Sequence, residues 1–251
     1  ATPVYQAAES FVANGTLSVT TPWPPGSATG RAGKHYAHQP LLTSLVHVPG
    51  AFARQTLGRI WPDTLPLTMA FACHLAPSAL GALVCVLFFG LARRTGASAR
   101  AAGLATLIVA FSTMTWVYAH STYTEITQTA CFMGFVAALV RAPDDRPLTA
   151  GLRVGLWGAA LLNTKLIFAL ALPGPLLGLL VLAARHDRRR LVPLALGAGG
   201  PLLAGLGLAM FYNWLRFESV WNTGYNAGLA PAMERGRLLI GLFGLFVSPG
   251  K

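Results

Sequence analysis

Six apolar runs, separated by short connectors of which every second one is loaded with arginine, constrain this chain more than any other feature. The runs fall at about 67–92, 98–118, 125–141, 149–164, 165–184 and 191–213. A hydrocarbon layer about 30 Å thick takes roughly 20 apolar residues of helix, fewer where neighbouring helices shelter the span. Arg93, Arg94 and Arg100 lie in one connector, Arg141, Arg146 and Arg153 around the next but one, and Arg185, Arg188, Arg189 and Arg190 in the third. Short arginine-rich loops face the cytoplasm, and alternation puts these three on one side, as an up-and-down bundle requires. Composition agrees: 54% of residues are hydrophobic and only 11% charged, against about 25% charged in soluble domains.

The formal charge of +11 does not point to nucleic acid. The cations cluster between apolar runs instead of forming a basic stripe interleaved with aromatics, the arrangement single-strand binding uses. Cys73, Cys85 and Cys131 all fall inside apolar runs. Without paired spacing they form neither a disulfide framework nor a metal knuckle.

Three regions follow. Residues 1–66 form a polar segment, 67–213 a six-span bundle, and 214–251 a second polar segment running into a short apolar stretch, Leu238–Val247, expected to be a truncated further span. Ala1–Asn14 carries Val4, Ala7, Ala8, Phe11 and Val12 at helical spacing, which suits an amphipathic helix at a membrane interface. Gly15 ends it. Thr16–His38 is expected to be loop and Pro40–Leu57 a second interfacial helix. Trp23, Trp61, Trp116, Trp214 and Trp221 stand near the expected interfaces, as an aromatic belt would. The expected fold class is thus all-α, a polytopic transmembrane bundle with an extracytoplasmic loop carrying interfacial helices.

That topology brings Ala1–Pro66, the turn at His120–Glu125, Lys165 and Asn213–Arg237 to the face opposite the arginines. Glu9, Tyr36, His38, His120, Tyr123, Glu125, Lys165 and Tyr225 are the chemistry-bearing residues there, with Lys34 and Arg31 nearby. A carboxylate at the mouth of a span is costly without a task or partner, so Glu125 is the first candidate. Its plainer reading is a helix N-terminal carboxylate favoured by the helix dipole. His120 and Tyr123 equally suit interfacial anchoring, Lys165 suits snorkelling to the interface, and Glu9 the wet face of its helix. The set holds no defensible Ser-His-Asp order, no paired-histidine metal motif and no phosphate-cradling glycine loop. Asp144-Asp145 sits in an arginine-rich connector and reads as a solvated turn.

Several short segments, in order, carry a resemblance. They are Tyr5-Gln6-Ala7-Ala8-Glu9-Ser10-Phe11, Tyr36-Ala37-His38-Gln39-Pro40-Leu41, Tyr118-Ala119-His120 through Glu125, Asn163-Thr164-Lys165, Tyr212-Asn213-Trp214-Leu215-Arg216-Phe217 with Asn222-Thr223-Gly224-Tyr225, and Ser248-Pro249-Gly250-Lys251. Together they resemble the GT-C class of integral-membrane glycosyltransferases, in particular bacterial relatives of dolichyl-phosphate-mannose-protein mannosyltransferases and of aminoarabinose transferases. One departure stands out. The family's catalytic aspartate lies just ahead of the first interface helix, and none precedes Glu9 here; it is expected upstream of residue 1. Gln39 also stands where many relatives carry Lys or Pro.

The resemblance implies a bacterial inner- or plasma-membrane enzyme. It would move a sugar from a polyprenyl-phosphate donor to an extracytoplasmic lipid, glycan or protein. Such chemistry needs a base or orienting group for the acceptor and positive charge where the phosphate departs. Glu125 and Glu9 are the candidate catalytic residues. Lys165, His38, Tyr36, Lys34, Arg31, His120, Tyr123 and Tyr225 are the candidate substrate-binding residues. No cofactor or metal ligand set is assigned, although Glu125 could hold a divalent cation. The interruption at Asn163–Lys165 also fits a transporter or flippase, whose sites use broken helices, and the missing aspartate fits a non-catalytic assembly subunit.

Overall fold

A computed structural model describes residues 2–20, 27–61 and 65–224, with backbone only for 65–70. Tyr225 and the expected truncated span Leu238–Val247 lie outside the described residues.

The chain is mostly helical. Helix α1 (Pro3–Asn14) begins with proline at its first position and closes on Gly15, whose φ of 67° is the left-handed conformation that lets its N–H reach back to Phe11 O. The single helix expected over Pro40–Leu57 is instead two, α2 (Leu41–Leu45) and α3 (Val48–Ile60). Pro49 lacks the N–H that would have continued the ladder to Leu45. Thr16–His38, expected as loop, contains a small antiparallel sheet, so the fold is not purely helical. Strands β1 (Ser18–Val19), β2 (Ser27–Thr29) and β3 (His35–Ala37) pair in the order β1-β3-β2, with Tyr36 opposite both Ser18 and Ala28. Strands this short carry no legible alternation.

Tyr5 and Ala8 of α1 pack with Ala51 of α3 and Ala72 of the next helix. The buried face of α1 is Val4, Tyr5, Ala7, Ala8 and Ser10, while Phe11, assigned to the apolar face from sequence, is 40% exposed.

Then come α4 (Leu65–Arg94), α5 (Ala99–Ser112), α6 (Met114–Ala119), α7 (Glu125–Arg141), α8 (Pro147–Leu162), α9 (Phe168–Ala171), α10 (Pro173–His186) and α11 (Leu191–Phe217). The run expected as one span over 98–118 breaks at Thr113, where φ −125° and ψ 177° are extended and the side chain caps α6 by accepting from Thr115 N at 3.2 Å. Three helical stretches, Phe71–Arg94, Phe168–His186 and Arg188–Phe217, are long and apolar enough to cross a membrane; Ala99–Ser112 and Pro147–Leu162 are apolar but shorter. Leu104, Ile108, Leu170, Leu196 and Leu203 are all more than half exposed on these helices. Apolar side chains exposed in continuous stripes need a non-aqueous neighbour, which points to a membrane protein.

Helix directions follow from the contacts. Helices α7 and α8 pack side by side, Gly134 against the Trp157 ring and Phe135 against Gly158, and the short connector between Arg141 and Pro147 makes them antiparallel. Gly151, Gly155 and Gly158 of α8 meet Gly197, Ala198 and Leu202 of α11 in ascending order, so these two run parallel. A Cβ at Gly197 would lie 2.6 Å from Leu148 O and one at Gly155 2.5 Å from Ala198 O. Small residues let the two backbones approach this closely. Val84 of α4 packs with Ile126 and Ala130 of α7 and Arg94 donates to Val140 O further along both, so those helices run parallel.

The arginine connectors consequently meet at one end. Arg94 pairs with Asp144, Arg153 with Asp145 at 2.6 Å, and Arg190 donates to Pro143 O at 3.1 Å and Asp145 O at 2.8 Å. Asp144-Asp145 is therefore an ion-paired hub, not only a solvated turn. At the other end stand residues 2–61, the start of α7, the α8–α9 break and the end of α11. Leu42 N donates to Asn163 O at 3.2 Å across that end.

Candidate active site

Helix α8 stops at Asn163, whose Nδ2 donates to Ala159 O at 3.0 Å and to Gly205 O of α11 at 2.9 Å. The amide serves as a clamp: it closes α8 and ties it to its neighbour. Thr164 turns in the same way, donating to Leu161 O at 2.7 Å. The chain leaves the helix here, and Lys165 emerges exposed beside the end of α11.

There a cavity of about 310 Å³ opens. Its polar wall is His38, Lys165, Asn213, Arg216 and Thr223; its apolar wall is Leu162, Leu166, Ile167 and Ala209. Four separated segments thus converge, and cationic side chains face an aliphatic surface.

Arg216 is the residue that sequence reasoning undervalued. Although charged, it is only 2% exposed. Its Nη1 donates to Ala37 O at 2.5 Å and Gln39 O at 3.1 Å, and its Nη2 to Asn213 Oδ1 at 2.7 Å. The guanidinium also lies 3.9 Å from the Tyr212 ring centroid and 4.8 Å from that of Phe217. Three oxygens and two aromatic faces hold the group in place. The available signal was an arginine set three residues after Asn213 inside an apolar run, where the two side chains share a helix face.

Sheet strand β3 delivers the other side of the cavity. Tyr36 packs edge-on to Phe217 with centroids 6.1 Å apart. Ala37 and Gln39 give their carbonyls to Arg216, so His38 between them is held at the cavity. Burial pushes the His38 imidazole below its ordinary pKa, and the Arg216 charge acts the same way; a hydrogen bond to the Ser27 backbone opposes them. Gly30 is close to the Arg216 carbonyl, and Gly224, at φ +82°, would place a Cβ 3.2 Å from His38 Cδ2. Both glycines are needed for this close approach.

Other sequence candidates fall elsewhere. Glu9 is ion-paired with Arg54 and lines a different cavity, between α1 and α3. Arg31 pairs with Glu218 at 3.1 Å and covers Trp214 at 4.9 Å, near the cavity but not in its lining. Lys34 is exposed on the β2–β3 connection. His120 is exposed, lies tilted against Trp116 with ring centroids 4.2 Å apart and contacts Trp116 O through Nδ1 at 2.9 Å; Tyr123 is 61% exposed. Glu125 is the first residue of α7, level with the α8–α9 break by the register of Gly134 against Trp157. Its Oε2 is buried and makes no hydrogen bond among the described residues. No group of three or more metal-ligating side chains occurs among the described residues.

No known protein family, curated protein or solved structure matches this chain.

Proposed function

We propose that the protein is a membrane glycosyltransferase of the GT-C kind, which moves a sugar from a polyprenyl-phosphate donor to an acceptor on the extracytoplasmic face of a bacterial inner or plasma membrane. The observation carrying this reading is the cavity in which Lys165 and Arg216 face Leu162, Leu166, Ile167 and Ala209. A polyprenyl-phosphate sugar has the same division of character: an anionic phosphate joined to an isoprenoid chain, with a polar sugar beyond.

In this reading the six apolar runs form a polytopic bundle, with the arginine hub at the cytoplasmic end. Lys165 and Arg216 steady the phosphate as the glycosidic bond breaks and charge accumulates on its oxygens. A fixed cation, held by hydrogen bonds made before the substrate arrives, needs no reorganisation during the reaction. The isoprenoid lies along the aliphatic wall toward the lipid. Glu125, at the same end, orients the acceptor.

The interruption at Asn163–Lys165 supports a second reading, a transporter or flippase, because unwound segments between half-helices make transport sites. One experiment separates the two. Protein in proteoliposomes is given a polyprenyl-phosphate sugar labelled in the sugar, with envelope lipids and glycans as acceptors. Protein-dependent passage of label into an acceptor supports transfer. Movement of intact donor between leaflets without bond cleavage supports transport and overturns the enzyme reading.

A further inference from the structure

We propose that the cleft between α1 and α3 is a seat for one aminophospholipid, with phosphatidylethanolamine the headgroup that fits. The proposal needs a bilayer around the bundle and is independent of the glycosyltransferase reading.

The cleft has a volume of about 270 Å³. Glu9, Val12 and Ala13 of α1 form one wall, and Ala51, Arg54 and Arg59 of α3 the other. Its depth follows from the packing of α3 on α4. A Cβ at Gly50 would lie 2.2 Å from Ala72 O, and Ala51 packs with Ala72. Ala72 is next to the start of the membrane-length stretch Phe71–Arg94. The cleft therefore stands where hydrocarbon gives way to headgroups, a zone roughly 5–7 Å deep on each side of the bilayer. Phe11 and Phe52, neighbours in sequence of the lining residues Val12 and Ala51, are exposed at this level, and acyl chains cover such surface better than water does.

Both signs of charge meet in the cleft. Glu9 pairs with Arg54, and the pair is only partly buried, with side chains 25% and 32% exposed. Arg59 is exposed and forms no ion pair among the described residues. Arg54 Nε is buried with no acceptor among the described residues, and a buried donor of this kind calls for an oxygen. A lipid phosphate supplies oxygens to Arg54 and Arg59 in charge-assisted hydrogen bonds. The ethanolamine ammonium donates to Glu9, whose two carboxylate oxygens can accept from Arg54 and the lipid together. Phosphatidylglycerol offers no cation to Glu9, and choline has no N–H to donate. A lipid seated in this way pins the two interfacial helices at a fixed depth.

The test places the full chain in nanodiscs of phosphatidylethanolamine, phosphatidylglycerol and phosphatidylcholine in equal parts with matched acyl chains. Native mass spectrometry counts the lipid kept after release. The wild type is expected to keep phosphatidylethanolamine over each of the others by at least about fivefold, the effect of one charge contact near a membrane surface. Ala13→Phe fills the cleft from an exposed position, leaves the ion pair alone and should lose this retention. Arg59→Gln should weaken it about fivefold, and Glu9→Gln should keep phospholipid but lose the preference for phosphatidylethanolamine over phosphatidylglycerol. Equal retention of the three lipids by the wild type overturns the proposal, as does unchanged retention in Ala13→Phe. Free phosphoethanolamine, which has no acyl chains, should leave the bound lipid in place; displacement by it would assign the cleft to a soluble ligand and overturn the lipid seat.

Discussion

Arg216 Nη1 donates to the carbonyl of Gln39 at 3.1 Å, across 177 residues of sequence. This bond and its neighbours tie the last turn of α11 to strand β3 and build one wall of the cavity. Removing the guanidinium leaves buried carbonyls with no donor. Hydrogen bonds to charged groups contribute roughly 1.5–3 kcal/mol each. Arg216→Met should therefore destabilise the protein by about 3 kcal/mol and abolish donor binding, and Arg216→Lys should recover charge but only part of the stability. Thermal unfolding in detergent, with and without polyprenyl phosphate, measures both.

Lys165 is exposed and has a different signature. Lys165→Gln should leave the unfolding midpoint within about 1 °C, because surface substitutions usually change stability by no more than about 0.5 kcal/mol. Donor KM should rise at least about tenfold, the effect of losing roughly 1.4 kcal/mol of phosphate contact. Steady-state kinetics with unchanged KM would remove Lys165 from the phosphate site.

Glu125→Gln separates a site carboxylate from a helix-end carboxylate. The helix-dipole contribution is about 0.3–1 kcal/mol, so stability should barely move while transfer falls at least about tenfold. Equal turnover in the two proteins would leave Glu125 with the dipole role alone.

The seam between α8 and α11 should tolerate no side chain. A Cβ at Gly197 would stand 2.6 Å from Leu148 O, whereas one at Gly207 meets nothing within 4 Å among the described residues. Gly197→Leu is expected to destabilise by about 1–3 kcal/mol, the usual range for overpacking. Gly207→Ala should be neutral or stabilising by up to about 1 kcal/mol, since alanine loses less backbone freedom in a helix. Chemical unfolding of both variants decides this.

His47 predicts a pH dependence of stability. It is 2% exposed beneath α1, with Tyr5 edge-on at 5.9 Å, and burial pulls its pKa from 6.5 down to about 4. The folded protein keeps this ring neutral, while the unfolded chain takes up a proton near pH 6.5. Stability from this site is complete above pH 6.5 and falls as pH drops toward 4, by about 3 kcal/mol on the order of the linkage relation. His47→Phe should flatten that part of the curve, as thermal scans from pH 4 to 7 will reveal.

Orientation is open to direct test. In a background with Cys73, Cys85 and Cys131 replaced by alanine, Tyr123→Cys should react with an impermeant thiol reagent on intact cells. Arg146→Cys should react only after the membrane is breached. The reverse pattern would turn the bundle over and place the cavity on the cytoplasmic side.

Apolar runs and arginine-bearing connectors are local properties of the sequence, so the helices and the gathering of arginines at one end were legible without coordinates. The stop at Asn163–Lys165 was legible too, because a lysine and two hydrogen-bonding side chains interrupt an otherwise apolar stretch. The three-stranded sheet was not, since its strands are too short to show a period and their partners are distant in sequence. The division of α2 from α3 was missed for a different reason: apolar spacing hid the break that Pro49 makes. Glu9 and Lys165 had equal standing as charged residues on the same face. Only packing showed that Arg54 pairs with Glu9, while Lys165 lines the cavity that holds Arg216. Chain composition determined the solvent this protein needs, because burial of apolar runs depends on local hydrophobicity. Which charges face a cavity was decided by tertiary structure, because that depends on what each side chain meets from segments distant in sequence, as Arg216 meets Gln39.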